Sequence, residues 1–272
     1  MELSRGQIWF DALTSARGIA ADTKGPIRSA DAPLGETAAR FIAVVPDPHN
    51  RFPRATENVV GLEQGWLLAR AVRDAINADR DVPVKRPIVA IVDVQSQAYG
   101  RREELLGVHL ACAAAVDAYA SARLAGHPVI ALIVGPAMSG AFLAHGYQAN
   151  RIVALDASGI SVHAMGKEAA ARVTRRSVEG LDDLGDRVLP MSYKISAYAK
   201  LGLLHELIAG INADAPGQKD VERVQASLMA AIDDARQGPN DLSSRLQSAD
   251  AKRTRAASIE VRKRMAEQWD AS

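Results

Sequence analysis

The sequence has a single cysteine, Cys112, among 272 residues, and aromatic side chains make up only 4% of it. One cysteine excludes a disulfide framework, and the lack of a Cys/His cluster excludes a zinc module. An excess of one charge is also missing, because 33 Lys and Arg residues face 32 Asp and Glu residues. The resulting net charge of +1 excludes a strongly basic nucleic-acid-binding protein.

Long apolar runs are absent as well. No run approaches the roughly 20 residues that a membrane-spanning helix needs. The first five residues, Met1 to Arg5, lack the apolar stretch of a signal peptide. We therefore expect a protein of the reducing cytoplasm that binds neither membrane nor nucleic acid and holds no metal.

The sequence does contain apolar runs that alternate with helical patterns. Short continuous apolar runs predict strands that are buried on both faces. These runs cover residues 41–45, 88–92, 129–134, 151–155 and 159–162. Because helical patterns lie between them, the sequence predicts an α/β fold with a parallel sheet and crossover helices.

Two helical stripes of apolar side chains are predicted to be buried. The first consists of Val59, Leu62, Trp66, Ala69, Val72 and Ile76. The second consists of Leu105, Val108, Cys112, Val116 and Tyr119.

The chain divides into three predicted regions. Residues 1–40 form a turn-rich N-terminal segment in which only residues 7–13 look ordered, and residues 41–210 form the core. Residues 211–272 form a C-terminal helical extension. Beyond Gly180 the density of charged residues rises and strands are not expected. Helices are predicted near residues 219–236 and 248–269.

Two loops follow strong strands at the edge where open parallel sheets bind ligands, namely residues 93–100 and 135–140. In the second, Ser139, Gly140 and Ala141 place three small side chains at a predicted helix start. Backbone N–H groups there lack partners and the helix dipole favours negative charge, so they can stabilise a developing oxyanion.

In the first loop, Tyr99 and Gly100 are placed to supply a second N–H aimed at the same region. Glycine and serine at a helix start also serve as ordinary caps and turns. Both interpretations of the two loops remain open at this point.

Other chemistries fit these residues less well. Ala137 takes the place of the first glycine in a Gly-x-Ser-x-Gly elbow, which argues against Ser139 as a nucleophile. The loop lacks the Gly-Lys-Ser/Thr ending of a phosphate-binding loop, and the six histidines include no His-x-x-x-His pair. His145 either faces the pocket or is a hydrogen-bonded structural residue. Cys112 belongs to a helix stripe and is interpreted as a core residue.

Several segments, in this order and spacing, resemble the C-terminal half of acyl-CoA carboxyltransferases, which have the crotonase fold. They comprise residues 91–93, Gly100, Glu104, Gly107, Ala115, Ala120 and residues 128–130, 139–141, 151–152 and 165–168. Within that group, residues 5–14 and 41–47 resemble the gamma subunit of biotin-independent malonate decarboxylase. The resemblance covers about residues 4 to 210. It implies a crotonase-like spiral of ββα units with peripheral C-terminal helices.

The resemblance also implies an activity and a set of partners. In that family, the gamma subunit pairs with a homologous beta subunit, and the two decarboxylate a malonyl thioester to an acetyl thioester and CO2. The thioester is carried on an acyl carrier protein subunit by a modified dephospho-CoA arm, beside an alpha transferase subunit. The chain is then expected to be active only with its partner, without biotin or metal and without a covalent cofactor of its own.

By the same similarity, Gly140 and Ala141 match the oxyanion positions, while thioester binding falls largely to the other subunit. Under this hypothesis Tyr99 and Gly100 close the opposite wall of the site. Ser139 or His145 then touches the carboxylate or helps to deliver the proton.

The sequence departs from carboxyltransferases in both loops. Those enzymes usually carry Pro-Gly-Phe and paired glycines, whereas this chain has Val-Gln-Ser-Gln-Ala-Tyr at residues 94–99 and a Ser139–Gly140 pair. The departure is consistent with a biotin-free reaction. Two other classes stay open: a subunit of a biotin-dependent carboxyltransferase, and a non-catalytic scaffold that holds a catalytic partner.

Overall fold

The computed structural model describes residues 3–14, 19–22 and 25–270 of the chain. Its strands are β1 (Ile19–Asp22), β2 (Ile27–Leu34), β3 (Thr37–Val44), β4 (Val59–Val60), β5 (Ile88–Val94), β6 (Ser96–Gln97), β7 (Val129–Met138), β8 (Arg151–Asp156), β9 (Val162–His163) and β10 (Glu206–Ala209). Its helices are α1 (Arg5–Thr14), α2 (Leu62–Ala78), α3 (Arg101–Leu105), α4 (Val108–Leu124), α5 (Ser139–Ala144), α6 (Lys167–Thr174), α7 (Val178–Arg187), α8 (Ile195–Lys200), α9 (Gln218–Gln237), α10 (Ala249–Thr254) and α11 (Ala256–Asp270).

One sheet organises the molecule, with strand order β1-β2-β3-β5-β7-β8-β10 and with β9 paired to the end of β7. The strands β3, β5, β7 and β8 are parallel, as predicted, and β10 adds a further parallel strand beside β8. Strand β1 pairs antiparallel with β2, and β2 pairs antiparallel with β3. Helices α1 and α9 pack on the central strands and touch each other, while α2 and α4 form a second packed pair. Because helices cover the sheet in this way, its central strands are continuous apolar runs.

The prediction that only residues 7–13 are ordered before residue 40 is wrong. Strand β2 pairs antiparallel with β3 over eight residues, from Ile27 opposite Val44 to Leu34 opposite Thr37. The sequence conceals this strand because it contains Asp31 and Pro33, two residue types that are depleted in strands. Tertiary pairing with β3 overrides that local preference.

The C-terminal part also differs from its prediction in two places. The four-residue strand β10 pairs in parallel with β8, although no strand was expected beyond Gly180. The helix predicted over residues 248–269 is divided at Arg255 into α10 and α11. The helix predicted over residues 219–236 is confirmed as α9.

The close crossing of α2 and α4 explains why the two predicted stripes are only partly buried. A Cβ atom on Gly65 would lie 2.5 Å from the carbonyl oxygen of Ala111, so the helices meet through small residues. Helix α4 accordingly buries an alanine-rich face (Ala111, Ala115, Ala118 and Ala122). Leu105 and Trp66 are 78% and 53% exposed, which corrects the prediction that they are buried, and Val59 lies in β4 rather than in α2.

A buried carboxylate ties the ends of several elements together. Asp93, near the end of β5, is 4% exposed, and its Oδ2 accepts hydrogen bonds of 2.9 Å from the N–H of Gly6 and from Nδ2 of Asn58. Burial raises the pKa of Asp93, and these two hydrogen bonds oppose the rise. A Cβ atom on Gly135 would lie 2.1 Å from Asp93 Oδ1, so only glycine fits at this position of β7. Asp93 thus joins the first turn of α1 to β5 and β7.

We expect Gly135→Ala to lower the free energy of unfolding by about 1–3 kcal/mol, the usual cost of overpacking a filled interior. The added methyl group would collide with the Asp93 carboxylate and force it off its hydrogen-bond donors. Urea unfolding of the purified chain measures the effect. Gly166→Ala is the control, because a Cβ atom there meets nothing within 4 Å and surface changes usually stay within about 0.5 kcal/mol. Equal midpoints for the two variants would contradict the role given to Asp93.

Candidate functional site

The two loops singled out in the sequence meet at the carboxyl edge of the sheet. Strand β7 runs directly into α5, and the backbone N–H of Gly140 donates a 2.9 Å hydrogen bond to Oε1 of Gln97 in β6. Ser139 and Gly140 are half-buried and Ala141 is buried. Gln97 was not among the predicted site residues. The sequence feature that could have identified it is an amide side chain in a loop that follows a buried strand. The structure therefore brings the two loops together, and Gln97 is the residue that joins them.

The chain turns sharply at Ser139. This residue has a φ of +58°, in the left-handed region that costs a non-glycine residue roughly 1–2 kcal/mol. Its Oγ donates a 3.2 Å hydrogen bond to the carbonyl oxygen of Ala164, just after β9. The turn brings the first N–H groups of α5 to the carboxyl edge without an intervening loop, and such groups have no acceptor within their own helix.

Tyr99 and Gly100 lie in the neighbouring loop but do not form the predicted second donor pair with Gly140. Tyr99 is 51% exposed, and Gly100 has extended backbone at the start of α3. A Cβ atom on Gly100 would lie 2.6 Å from Arg54 Nε and 2.7 Å from Glu103 Oε2. Gly100 thus lies beside the oppositely charged side chains of Arg54 and Glu103. The contact with α5 is made by Gln97 instead.

The structure places His145 in the core, away from the edge where its predicted role would require it. Its side chain is fully buried; Nε2 lies 2.9 Å from the carbonyl oxygen of Ile91, and Nδ1 lies 2.9 Å from the hydroxyl of Tyr119. Because a carbonyl oxygen only accepts, Nε2 carries the proton and Nδ1 accepts from Tyr119. Burial lowers the pKa of His145 to about 4, against the ordinary 6.5. Both ring nitrogens are occupied, so the geometry fits the structural alternative.

A cleft of about 540 Å³ opens beside the same edge. Met138 lines it, whereas residues 139–141 do not, so the cleft adjoins the candidate loop from the β7 side. Lys167 and Lys194 stand at its walls, each in an ion pair of 2.5 or 2.6 Å with an aspartate of α7. Glu168 also lines the cleft, so its three acidic side chains outnumber the two lysines by one.

Other reactive groups of the described residues do not add a second centre. Cys112 is half-buried, and burial raises the pKa of its thiol to about 11, so it stays protonated near neutral pH. In residues 3–14, 19–22 and 25–270, no three His, Cys, Asp or Glu side chains are grouped to hold a metal ion. None of the helices in those ranges is both long and apolar enough to cross a membrane.

Comparison with known proteins identifies relatives of this architecture. Residues 55–269 match the family model described as malonate decarboxylase gamma subunit. The malonyl-S-ACP:biotin-protein carboxyltransferase MADD of Malonomonas rubra is 33% identical over 195 residues, or 70% of this chain. The chain spans 66% of the length of that relative, slightly less than two thirds.

Solved structures are similar over nearly the whole chain. A Pseudomonas malonate decarboxylase hetero-tetramer in complex with coenzyme A is 54% identical with a TM-score of 0.91, and the match covers 98% of this chain and 100% of that one. A Pseudomonas MdcD–MdcE hetero-dimer is 53% identical with a TM-score of 0.88 and the same coverage. Transcarboxylase 12S is 18% identical with a TM-score of 0.55 over 76% of this chain and 36% of that one, which shows the fold alone. The crotonase-like α/β fold expected from the sequence is confirmed.

The burial of His145 leads to a prediction about acid stability. Its pKa is lower in the folded chain than in the unfolded one, so the unfolded chain binds more protons between about pH 4 and 6.5. The contribution of the neutral His145 ring to the free energy of unfolding is fully present above pH 6.5. It falls by about 3 kcal/mol as the pH is lowered to 4. We expect His145→Gln to be less stable at neutral pH but to lose less stability over this window, as measured by urea unfolding at a series of pH values. The same slope in both proteins would contradict the buried neutral ring.

Proposed function

The chain belongs to the malonate decarboxylase gamma-subunit family, and we propose that within a hetero-complex it helps to convert a malonyl thioester on an acyl carrier protein to an acetyl thioester and CO2. The observation that carries this proposal is the backbone N–H of Gly140 at the carboxyl edge, held by a neutral side-chain acceptor beside an open cleft. The Malonomonas relative acts, by its name, on malonyl-S-ACP, which supports the same substrate class.

The reaction requires a place for negative charge. When the bond between the carboxylate and the α-carbon breaks, its electron pair moves into the thioester carbonyl and leaves an enolate, and CO2 departs. A proton is then added to the α-carbon. Backbone N–H groups that already point at the charged oxygen stabilise it without rearranging, and one such donor is worth roughly 3–4 kcal/mol.

The N–H of Gly140 donates to Oε1 of Gln97, so in this proposal a substrate oxygen competes with that amide for the donor. A carboxylate or enolate oxygen is a stronger acceptor than a neutral amide, so it displaces Gln97 Oε1 from the Gly140 N–H. The N–H of Ala141 is the next donor in the first turn of α5. The released Gln97 side chain keeps its two amide N–H donors for the same charged group.

The remaining predicted residues take more distant roles. Ser139 sets the turn and presents its hydroxyl oxygen beside the site, and Tyr99 with Gly100 forms the neighbouring wall. In this proposal the backbone donors of Gly140 and Ala141 face the oxygen on which negative charge develops as CO2 leaves. His145 holds the core behind α5, so its ring does not deliver the proton.

The partners follow from the family. We infer that a homologous beta subunit supplies most of the thioester site and that the carrier protein brings the substrate on a modified dephospho-CoA arm. An alpha transferase subunit completes the complex, which works in the cytoplasm as a carboxy-lyase without biotin or metal. The hetero-dimeric and hetero-tetrameric Pseudomonas relatives support this arrangement, and one of them is in complex with coenzyme A.

We expect Gly140→Val in the co-expressed complex to lower the decarboxylation rate by about 10²–10³-fold, the usual effect when an oxyanion can no longer reach one of its donors. A Cβ atom at Gly140 would lie 3.1 Å from Gln97 Oε1, so the larger valine fills the space that a substrate oxygen needs. Release of CO2 from malonyl thioester is the measurement, and gel filtration checks assembly. Leu143→Ala, at an exposed position of the same helix, serves as the control. A normal rate for Gly140→Val in an intact complex would remove Gly140 from the site.

A second candidate function is transfer of the carboxyl group to a biotin protein, because that is the activity named for the Malonomonas relative. The two candidates differ in their need for biotin. We expect excess avidin to leave CO2 release by the purified complex unchanged, since decarboxylation sends the carboxyl group directly to CO2. Inhibition by avidin, reversed by prior saturation with free biotin, would favour carboxyl transfer instead.

A further inference from the structure

A polar pocket of about 400 Å³ lies at the amino ends of β8 and β10, at the opposite edge of the sheet from the candidate site. We call it the amino-edge pocket. The core contributes residues 150–152 and 202–205 to its walls, and the C-terminal extension contributes Asp234 of α9, residues 244–245 and residues 247–248. Small-molecule sites usually have volumes of about 300–1,000 Å³, so the pocket is large enough for a ligand.

The charges that line the amino-edge pocket do not balance. Arg151 forms an ion pair with Asp234, and Nδ1 of His205 lies 3.6 Å from the same carboxylate. Among the described residues of the lining, Asp234 is the only acidic side chain, whereas Arg151 and Arg245 are both basic. Because Asp234 is already paired with Arg151, the charge of Arg245 is left without compensation.

Arg245 is 7% exposed, yet it makes no ion pair within the part of the chain that the structure describes. Its Nη2 donates hydrogen bonds of 2.7 and 2.6 Å to the carbonyl oxygens of Tyr147 and Ala149, which are neutral acceptors. Its Nε is sealed from solvent and has no hydrogen-bond partner there. Burial lowers the pKa of this guanidinium, but arginine stays charged in proteins. A buried charge without a counter-ion is costly, so the fold holds a cation that calls for an anion.

Two serine hydroxyls on the pocket wall can donate to the same ligand. Oγ of Ser244 accepts a 3.1 Å hydrogen bond from Nη1 of Arg151, and Oγ of Ser248 accepts a 3.1 Å hydrogen bond from the N–H of Ala251. Neither hydroxyl donates a hydrogen bond to a described residue, so the proton of each remains available. The pocket therefore offers hydrogen-bond donors from the guanidinium and from two separate hydroxyls.

This set of donors favours a phosphate group over a carboxylate. A carboxylate has two oxygens, whereas a phosphate group has three strong acceptor oxygens for the donors of Arg245, Ser244 and Ser248. Nη1 of Arg245 makes no hydrogen bond to a described residue and, unlike Nε, is not sealed from solvent. The planar guanidinium is also a side chain well suited to phosphate recognition.

We propose that the amino-edge pocket binds a small phosphate-bearing anion, with Arg245 as its counter-ion and with Ser244 and Ser248 as hydrogen-bond donors. The site lies at the opposite edge from Gly140, so the proposal does not depend on the proposed function. Its donors belong to the C-terminal extension, whereas the facing wall at residues 202–205 belongs to the core. A bound anion therefore stabilises the packing of the extension against the sheet.

The test is isothermal titration calorimetry of the full-length chain with sodium phosphate, compared with sodium chloride and sodium acetate at the same ionic strength. We expect phosphate to bind with a Kd of about 1 mM or tighter. Arg245→Gln is expected to weaken binding by at least about tenfold, because it removes hydrogen bonds between two charged groups. Arg253→Gln is the matched control, since that exposed arginine of α10 pairs with Asp250 outside the pocket lining. Thermal unfolding shows whether each variant is folded.

Hydrogen exchange of the wild-type chain provides a second measurement that does not depend on the variants folding. We expect phosphate to protect the amides of residues 202–205 and 244–251 and to leave those of α5 unchanged. The proposal would be overturned by wild-type affinity in Arg245→Gln or by unchanged exchange at the pocket. It would also be overturned if chloride reproduced the effect or if acetate bound as tightly as phosphate.

Titration with adenosine 5′-monophosphate distinguishes two sources of the phosphate group. Equal Kd values for this ester and for inorganic phosphate would support the proposal with free phosphate as the ligand. Tighter binding of the ester that is lost in Arg245→Gln would support it with a phosphate ester, whose remainder occupies the rest of the pocket. Binding of either compound that Arg245→Gln leaves unchanged would contradict the role given to the buried guanidinium.

Discussion

The carboxyl edge of this sheet is organised around one buried carboxylate. Asp93 has almost no contact with solvent, and its Oδ2 is satisfied by a backbone N–H of α1 and by the amide of Asn58. A buried carboxylate without such donors would be costly, so the three elements that supply or accommodate them are held in a fixed relation. Gly135 on β7 must pass beside it without a side chain. The strand that leads to Ser139 and Gly140 is thereby placed at a defined distance from β5.

The charged groups at the opposite end of the sheet also have a structural role. Asp31 pairs with Arg40 at 2.6 Å and with Arg86 at 2.9 Å, and Arg86 also pairs with Asp79. These partners lower the pKa of both aspartates although burial acts in the opposite direction. At the carboxyl edge, by contrast, a neutral amide is the acceptor for the N–H of Gly140. A neutral acceptor is easily exchanged for a charged one, which is the property that a binding site for an anion requires.

Two groups of buried side chains adjoin the candidate site. A small buried cluster contains Phe52, Leu62 and Ala98, the last of which follows Gln97 in the chain. Helix α5 is supported from below by Tyr119 and His145, whose hydrogen bond lies wholly within the core. A functional histidine and a supporting histidine look the same in a sequence, because the difference lies in whether both ring nitrogens find partners in the fold.

Much of the architecture could be predicted from local patterns. The buried strands around residues 88–92, 129–134 and 151–155 are continuous apolar runs, and this pattern is enough to predict a parallel sheet covered by helices. The placing of Gly140 at a strand end also followed from spacing, since ligand sites of parallel sheets gather at that edge. These features depend only on residues that are close together in the sequence.

Other features were decided only by tertiary structure. Strand β2 forms because β3 offers it a partner, despite Asp31 and Pro33. Trp66 and Leu105 face outward because α2 and α4 approach too closely at Gly65 to enclose them. Gln97 reaches Gly140 across 43 residues of chain, and no local pattern reports a contact of that range. The sequence by itself determined the central strands of the sheet and the two loops at its carboxyl edge. Packing determined the added strands β2 and β10 and which side chains meet at that edge, because contacts between distant segments exist only once the sheet has assembled.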